Sequence, residues 1–326
     1  MGLRAFLNQF FEENGGSMPF EQFMAAALYH PEHGYYAKNI ANVGGERADF
    51  STWATLFPLA NPIAAWIKEE ILHHSWRSPI HLIEIGAGDG SLAKGILQEL
   101  GWGLRKKVKY HIVDVSAPLR EQQRKTLGRK AQWHFDLAAA LAAAEGRALI
   151  FSNELVDAFP PRWLEWQGQW SEVHVAYDEA SGLQEKLVPT SLDYPLDNPK
   201  MGQRVELHQS YQAWLAEWAP LWKQGSLLTI DYGAATTAEV YDRRVNGTLR
   251  GYYRQNRIEG SAIYARFGKQ DLTADIDFHQ IRGWGENHGW ATDFLIDQAA
   301  FFDRFLGSCP DPESAAAFQV LSQRCS

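Results

Sequence analysis

The feature that most limits how this chain can fold is a short apolar run that ends in a glycine-rich loop. Residues 80–85 read IHLIEI, and Gly86, Gly88 and Gly90 follow at alternate positions before a helical pattern begins at Ser91. Glycine lacks a Cβ, so the backbone can turn sharply there and approach a ligand closely. A strand, a glycine loop and a helix in this order are typical of the first turn of a doubly wound sheet, where ligands bind beyond the carboxyl ends of the strands.

The apolar pattern recurs along the chain and predicts further parallel strands. Nearly continuous apolar runs lie at 108–115, 147–152 and 225–233, and 131–135 is a shorter candidate. Runs without alternation are expected where a strand is covered on both faces, and the intervening helical stretches indicate βαβ units. The sequence therefore predicts an α/β protein with a mostly parallel, Rossmann-like sheet.

Two segments depart from this alternation and set the predicted domain boundaries. Residues 1–78 read as amphipathic helices and loops, whereas 161–223 contain a hairpin that alternates with period two and then a Trp-rich helix. We therefore predict an N-terminal helical region over 1–78 and a Rossmann-like core over 79–160 and 224–326. Residues 161–223 would form an inserted, substrate-facing hairpin and helix.

Composition and charge exclude several classes of function. The 326 residues carry 31 Lys plus Arg against 39 Asp plus Glu, without the basic surplus of a dedicated nucleic-acid binder. The 2 cysteines fall in no CxxC or Cys/His cluster, and the histidines lack metal-ligand spacing, so no metal is predicted. No apolar stretch reaches the length of a membrane span. These features predict a cytoplasmic protein without a nucleic-acid partner, and they leave its oligomeric state open.

Carboxylates around the glycine loop bear on the cofactor that it would bind. Glu84 ends the strand, Asp89 lies within the loop, and Asp114 ends the next strand, where it could accept hydrogen bonds from ribose hydroxyls. A dinucleotide loop has the spacing G-x-G-x-x-G, but here the last glycine comes one residue early, and the carboxylates would repel a pyrophosphate. They would attract the sulfonium and ammonium groups of S-adenosyl-L-methionine (SAM). We therefore predict SAM as the cofactor, with NAD(H) as the alternative.

Two further residues at strand ends join the predicted cofactor site. Asp136 follows the candidate strand at 131–135, where it could meet the adenine amino group or cap the next helix, and both roles stay open. Asn153 follows the strand at 147–152. The complete set of predicted cofactor-binding residues is Glu84, Gly86, Gly88, Asp89, Gly90, Asp114, Asp136 and Asn153.

The strand at 147–152 ends in a second group of carboxylates, which we assign to the methyl acceptor. Glu154 and Asp157 follow it within the sequence NELVDAFP. Methyl transfer is an in-line displacement to which the protein contributes mainly positioning and proton acceptance. Paired carboxylates would hold the planar fork of a guanidinium group, so Glu154 and Asp157 are the predicted catalytic residues.

Motifs spread over residues 18 to 306 resemble those of the MidA family of SAM-dependent methyltransferases, which includes a mitochondrial complex I assembly methyltransferase. The resemblance implies a class I methyltransferase fold, and the mitochondrial member methylates an arginine of a partner protein. It also implies SAM binding by Gly86, Gly88, Gly90 and Asp114, and it matches Asn153, Glu154 and Asp157 to the signature Asn-Glu-x-x-Asp. The motifs are FMAAALYHPEHGYY, ADFST, EIGAGDGSLAKGIL, YHIVDVSAPLREQQ, NELVDAFP, TIDYG, GTLRGYYRQNR and DLTADIDF.

The same motifs supply candidates for contacts with the acceptor or with a lid, namely Tyr35, Asp49, Thr52 and Asp231. Departures from the family pattern lie nearby. Ala48 replaces a glycine, residues 53–55 and 60–61 differ from the usual Pro-Glu and Phe-Gly pairs, and Asp275 stands where the family commonly has His. These departures bear on the substrate more than on the cofactor.

The residues and the resemblance together predict a SAM-dependent methyltransferase that acts on a protein substrate, with arginine as the preferred acceptor. Two alternatives remain. One is a SAM-binding assembly factor with weak or lost catalysis that acts by binding a partner, which the altered 53–61 stretch motivates. The other is a methyltransferase for a small molecule.

Overall fold

The computed structural model describes residues 2–40, 58–254 and 256–326. The predicted candidates Asp49 and Thr52 lie outside these ranges. The chain divides into two compact units by its internal contacts. The first unit comprises Met1–Ile40, Asp157–Tyr211 and Thr236–Asp275, and the second comprises Ala41–Val156, Gln212–Ala235 and Ile276–Ser326. The domain boundaries predicted from the sequence stay a prediction.

Strands and helices alternate along much of the described chain. The strands are β1 Ser17–Pro19, β2 Ile80–Ile85, β3 Val108–Val113, β4 Ala131–His134, β5 Leu149–Asn153, β6 Arg162–Trp166, β7 Trp170–Asp178, β8 Gly182–Pro189, β9 Arg204–Leu207, β10 Gly225–Ala234, β11 Arg250–Tyr253, β12 Asn256–Ile258, β13 Asp271–Thr273, β14 Ile276–Asp277, β15 Ala291–Asp297 and β16 Phe318–Cys325. The α-helices are α1 Leu3–Glu13, α2 Phe20–Tyr29, α3 Ala60–His73, α4 Ser91–Glu99, α5 Gly101–Arg105, α6 Ala117–Leu127, α7 Leu137–Ala143, α8 Gln209–Trp218, α9 Thr237–Tyr241, α10 Phe278–Asn287, α11 Gln298–Leu306 and α12 Pro312–Ala315.

The second unit is built on a mostly parallel sheet with the strand order β15-β16-β10-β5-β2-β3-β4. Parallel pairing joins β10 to β5, β5 to β2, β2 to β3 and β3 to β4, and β14 pairs with β10 in the same sense. Strand β16 runs antiparallel to both of its neighbours, β10 and β15. The predicted α/β, Rossmann-like fold is therefore confirmed, including the short candidate strand at 131–135.

The position of β2 in this sheet explains its uninterrupted apolar sequence. Every residue of β2 is buried, and Leu82 and Ile83 are wholly so. Side chains from α3 and α4, such as Ile63, Ile67 and Ile96, join the same core. Strand β2 lies between β5 and β3, so its carboxyl end, and the glycine loop that follows, lie at the middle of the sheet edge.

The first unit contains two antiparallel sheets. One has the order β1-β7-β6-β9, with β8 also paired to β7, and the other has the order β12-β11-β13. The hairpin that the sequence predicts around residues 167–168 is confirmed, since Trp166 pairs with Trp170 across the β6–β7 turn. The period-two alternation of this segment thus corresponds to an antiparallel sheet, whereas the uninterrupted apolar runs form the parallel one. None of the helices in the described ranges has the length and apolarity needed to cross a membrane.

Three histidines form a row across the parallel sheet of the second unit. The Nδ1 of His81 lies 2.9 Å from the Nε2 of His111, and the Nδ1 of His111 lies 2.9 Å from the Nε2 of His134. Burial, with His81 and His134 as neighbours, lowers the pKa of His111 to about 3, and burial also lowers the pKa values of the other two. The row is therefore neutral in the folded protein near pH 7.

We expect this row to make the fold sensitive to acid. The pKa of His111 is about 3 in the folded protein, below the ordinary value of 6.5. Below pH 6.5 the unfolded chain therefore binds protons that the folded protein does not, so the free energy of unfolding decreases as the pH falls. The free energy of unfolding should then fall by about 1.4 kcal/mol per pH unit for each proton taken up. Urea unfolding between pH 7.5 and 5 would measure it. His111→Leu should flatten this slope, whereas His73→Gln, a change of an exposed histidine, should not; equal slopes in all three proteins would contradict the assignment.

Candidate cofactor and acceptor site

The glycine loop adopts backbone conformations that side chains disfavour. Gly86, Gly88 and Gly90 have φ values of 70°, 52° and 83°. A Cβ on Gly90 would also lie 3.3 Å from the backbone of Gln123, and one on Gly86 would lie 3.0 Å from Cδ1 of Leu155. The glycines are therefore required both for the turn and for the close packing of two other segments against it.

The carboxylates of the loop region are held by specific donors. Glu84 is 2% exposed and accepts a hydrogen bond of 2.6 Å from the hydroxyl of Tyr110. Its burial raises its pKa to about 7, and the negative charges of Asp114 and Asp89 add to this effect. The carboxylate of Asp89 accepts from the backbone N–H of Ser91, the first residue of α4, at 2.9 Å. The charges of Asp114 and Asp89 thus act on a buried Glu84 beside the loop, an arrangement that a cation would stabilise.

We therefore expect SAM binding to strengthen as the pH rises through 7. A cation near Glu84 favours its ionised form, so at lower pH the binding must first remove a proton. The affinity for SAM should rise by about tenfold between pH 6 and 8 if one proton is released. Calorimetric titration in two buffers of different ionisation enthalpy would count that proton. Glu84→Gln should remove the dependence, and a flat pH profile in the unaltered protein would refute this role of Glu84.

Asp114 lies at the end of β3 and is tied to the glycine loop by a residue that the sequence reasoning missed. Its carboxylate accepts from the N–H of Ser116 at 2.8 Å and from Nε2 of Gln123 at 2.6 Å. The same Nε2 donates to the carbonyl of Gly88 at 2.9 Å, and Nε1 of Trp133 donates to Oε1 of Gln123 at 3.1 Å. Gln123 is wholly buried and so fixes three strand ends relative to one another. The only sequence signal was its place in the motif YHIVDVSAPLREQQ.

Replacing Gln123 should weaken cofactor binding with little change in the overall fold. Gln123→Leu removes the donor to Asp114 and Gly88 and the acceptor for Trp133, and groups left unpaired in this way cost about 1–3 kcal/mol. We expect about tenfold weaker binding of S-adenosylhomocysteine in calorimetric titration. Gln98→Leu, on the exposed face of α4, serves as the control. Unchanged affinity in the Gln123 variant would show that Asp114 and the loop do not need this bridge.

Two exposed apolar side chains flank the strand-end carboxylates. Val115 follows Asp114 and is 54% exposed, and Phe135 precedes Asp136 and is 67% exposed. Large apolar groups at the carboxyl edge of a parallel sheet offer a surface on which an aromatic base can stack. The carboxylate of Asp136 accepts from the N–H of Ala139 at 2.7 Å, so its helix-capping role is confirmed. A contact between Asp136 and adenine stays a prediction.

The predicted acceptor residue Glu154 lies in a tight turn at the end of β5. Its φ of 49° falls in the left-handed region, which residues other than glycine rarely adopt and which costs about 1–3 kcal/mol. Nδ2 of Asn153 donates to the carboxylate of Glu154 at 3.1 Å, while Oδ1 of Asn153 is buried and has no hydrogen-bond partner among the described residues. Leu155 packs against Gly86, so the turn adjoins the glycine loop. Asn153 and Glu154 thus belong to the second unit, next to a residue that contacts the glycine loop, and their roles stay predictions.

Asp231 is a predicted contact of the acceptor or of a lid, and in the structure its carboxylate accepts hydrogen bonds from backbone N–H groups. It lies in β10 and is wholly buried. One carboxylate oxygen accepts from the N–H groups of Leu155 and Val156 at 3.1 and 2.7 Å, and the other accepts from the N–H of Tyr232 at 2.8 Å. A direct contact between Asp231 and a substrate stays a prediction.

Asp157 belongs to the first unit and lies in a buried group of charged and polar side chains. Burial raises its pKa to about 6, with Arg250 lowering it and Asp275 raising it. The hydroxyl of Tyr36 donates to Asp271 at 2.9 Å, and the pKa of Asp271 is raised to about 7 by burial and by Asp157. Sequence reasoning named neither Asp271 nor Tyr36, although both lie in the motifs quoted above.

Tyr35 and Asp275 belong to the same unit. Tyr35 is 2% exposed, and its ring lies edge-on to that of Tyr36 at 5.1 Å between centroids. Its role as a lid residue stays a prediction. Asp275 forms ion pairs with Arg244 and Arg250. Position 275, where the resemblance led us to expect histidine, therefore carries a carboxylate that pairs with two guanidinium groups.

Comparison with known proteins identifies the family. A model of the family described as "Putative S-adenosyl-L-methionine-dependent methyltransferase" matches residues 62–296. The chain belongs to this family. The predicted resemblance to MidA-type methyltransferases is thereby confirmed, and SAM is the cofactor.

Curated relatives and solved structures agree with this assignment. A fruit-fly protein (Drosophila melanogaster) named protein arginine methyltransferase NDUFAF7 homolog, mitochondrial, is 26% identical over 84% of this chain and 68% of its own length. The mouse (Mus musculus) protein arginine methyltransferase NDUFAF7, mitochondrial, is 25% identical over 82% of this chain and 66% of its own length. A Burkholderia thailandensis protein crystallised with S-adenosylhomocysteine has 27% identity and a TM-score of 0.83 over 98% of this chain and 90% of its own.

The residues beside the glycine loop fit SAM. The loop leaves room for close backbone approach, and Val115 and Phe135 offer an apolar face. The carboxyl groups of Glu84, Asp89 and Asp114 suit the sulfonium and ammonium groups of SAM. At the same edge of the sheet, the buried Oδ1 of Asn153 is an acceptor to which no residue of the described part of the chain donates. In the described ranges, no group of three or more His, Cys, Asp or Glu side chains is placed to hold a metal ion.

Proposed function

We propose that this methyltransferase transfers a methyl group from SAM to an arginine side chain of a protein, with Glu154 orienting the acceptor. The observation that supports the proposal is that Glu154 immediately precedes Leu155, whose side chain lies against the glycine loop, so close that a Cβ on Gly86 would lie 3.0 Å from its Cδ1. The names of the fruit-fly and mouse relatives, both protein arginine methyltransferases, support the choice of acceptor. The predicted cytoplasmic location stays a prediction, and the relatives are named mitochondrial.

The chemistry explains why a carboxylate is needed at this position. When bound, SAM supplies an electrophilic methyl group and leaves as S-adenosylhomocysteine. A guanidinium nitrogen forms the new C–N bond as the C–S bond breaks, and one proton leaves the nitrogen. The carboxylate of Glu154 would accept N–H hydrogen bonds from the planar guanidinium and hold its positive charge away from the reacting nitrogen. It also offers an acceptor for the departing proton.

The turn keeps Glu154 in place for this task. Nδ2 of Asn153 donates to its carboxylate, and its N–H donates to the carbonyl of Ile230 at 2.9 Å. A side chain restrained from both its backbone and its carboxylate loses less freedom when an acceptor binds. The predicted role of Asp157 as a second acceptor carboxylate stays a prediction. The groups that interact electrostatically with Asp157 include Arg250, Asp271 and Asp275 in its own unit.

The test uses the purified protein, SAM with a radioactive methyl group, and a protein extract from cells that lack this gene. Methylarginine should appear in digested extract proteins by mass spectrometry. Glu154→Gln should lower its rate of formation by about 10²-fold, because loss of a positioned proton acceptor typically costs 10²–10⁴. Binding of S-adenosylhomocysteine should change by less than about twofold, since no contact of the loop is removed.

Glu217→Gln, a change of an exposed residue on α8, is the matched control and should keep the full rate. Full turnover by Glu154→Gln would exclude the proposed role of that residue. Cofactor binding without any methylated product would favour the SAM-binding assembly factor. Label found only in the small-molecule fraction would favour a metabolite acceptor.

A further inference from the structure

The backbone of the Glu154 turn needs an external restraint. A φ of 49° places Glu154 in the left-handed region, where the Cβ of an L residue is crowded by its own backbone. Such a conformation persists only when the surrounding structure fixes it. The restraint must act on the backbone of 154–156, because the carboxylate of Glu154 has to face an acceptor.

Two successive residues of β10 provide that restraint. The carbonyl of Ile230 accepts from the N–H of Glu154 at 2.9 Å, and one oxygen of Asp231 accepts from the N–H groups of Leu155 and Val156 at 3.1 and 2.7 Å. Three consecutive amides thus bind to adjacent positions of the neighbouring strand. Successive N–H groups that converge on one anionic oxygen form a strong, directional contact.

The orientation of Asp231 is fixed as well. Its second oxygen accepts from the N–H of Tyr232 at 2.8 Å, and the side chain is wholly buried. Strand β10 pairs in parallel with β5 up to Ile230 and Asn153, so the carboxylate stands where β5 ends and the turn begins. A shorter or neutral side chain at this position could not serve both amides and Tyr232 in the same way.

We propose that Asp231 is a positioning residue that sets the catalytic turn by binding the amides of Leu155 and Val156. This inference rests on the proposed function, because the role of Asp231 acts through Glu154. It differs from the predicted role as a substrate or lid contact. Loss of the Asp231 contacts would let residues 154–156 relax toward ordinary backbone angles and shift the Glu154 carboxylate relative to the glycine loop. The loop itself has other supports, including Gln123.

The first measurement compares Asp231→Asn with the unaltered protein. The asparagine side chain keeps one acceptor oxygen but has an NH₂ group in place of the other. That NH₂ group would face either the N–H of Tyr232 or the N–H groups of Leu155 and Val156, which would lose their acceptor. We expect the rate of methylarginine formation in the gene-deleted extract to fall by about tenfold, with binding of S-adenosylhomocysteine changed by less than about twofold. Hydrogen exchange should accelerate at the amides of 154–156, while the amides of β2 and β5 keep their protection.

The second measurement combines variants and separates positioning from general stability. If Asp231 acts through Glu154, then Asp231→Asn should cost less than about twofold in rate when Glu154 is already Gln, because the two changes remove one function. Asp297→Asn is the matched control. Its carboxylate also accepts from a backbone amide, that of Ala300 at 2.8 Å at the start of α11, and its effect should be small and independent of Glu154.

Three outcomes would overturn the inference. They are an unchanged rate in Asp231→Asn, an equal loss of S-adenosylhomocysteine affinity and rate, and a loss of protection spread over the whole sheet. Full activity of Glu154→Gln would instead defeat the proposed function. Exchange at 154–156 would still show whether Asp231 holds the turn.

Discussion

The site depends on hydrogen bonds between backbone amides and aspartate carboxylates at one edge of the parallel sheet. Asp231 binds the amides that follow β5, Asp114 binds the amide that follows its own strand, and Asp89 binds the first amide of α4. Each of these bonds is charge-assisted and fixes a loop that would otherwise have unpaired N–H groups. The parallel strand order brings the loops together, and the carboxylates then give each loop a single conformation.

Acidic groups at this edge of the sheet are electrostatically unfavourable in the absence of a bound cation. Glu84 has a pKa raised to about 7 by burial and by its acidic neighbours, and burial also raises the pKa of Asp114. Removing carboxylates from water without a counter-charge is unfavourable, so part of the folding free energy maintains this arrangement. A cofactor with sulfonium and ammonium groups would recover that cost on binding. This argument explains why the loop suits SAM better than a diphosphate.

The sequence predicted the parts of the site that follow from strand ends and missed those that depend on side-chain reach. Glu84, Asp114 and Asn153 could be placed because the carboxyl ends of buried parallel strands meet at one edge. Gln123 could not, since nothing in a helical pattern tells which polar residue turns inward and bridges two loops. The hairpin at β6 and β7 was readable from alternation, but its strand partners β1 and β9 are distant in sequence and carry no local signal.

Asp275 forms ion pairs with its neighbours and also affects the pKa of a nearby carboxyl group. Asp275 pairs with Arg250 and Arg244, and its negative charge raises the pKa of Asp157, whereas Arg250 lowers it. A neutral histidine at 275 would leave the charge of Arg250 facing Asp157 and Asp271 with less compensation. Those two carboxyl groups would then ionise more readily. The aspartate therefore keeps Arg250 paired and leaves Asp157 closer to neutral than an uncharged residue at 275 would.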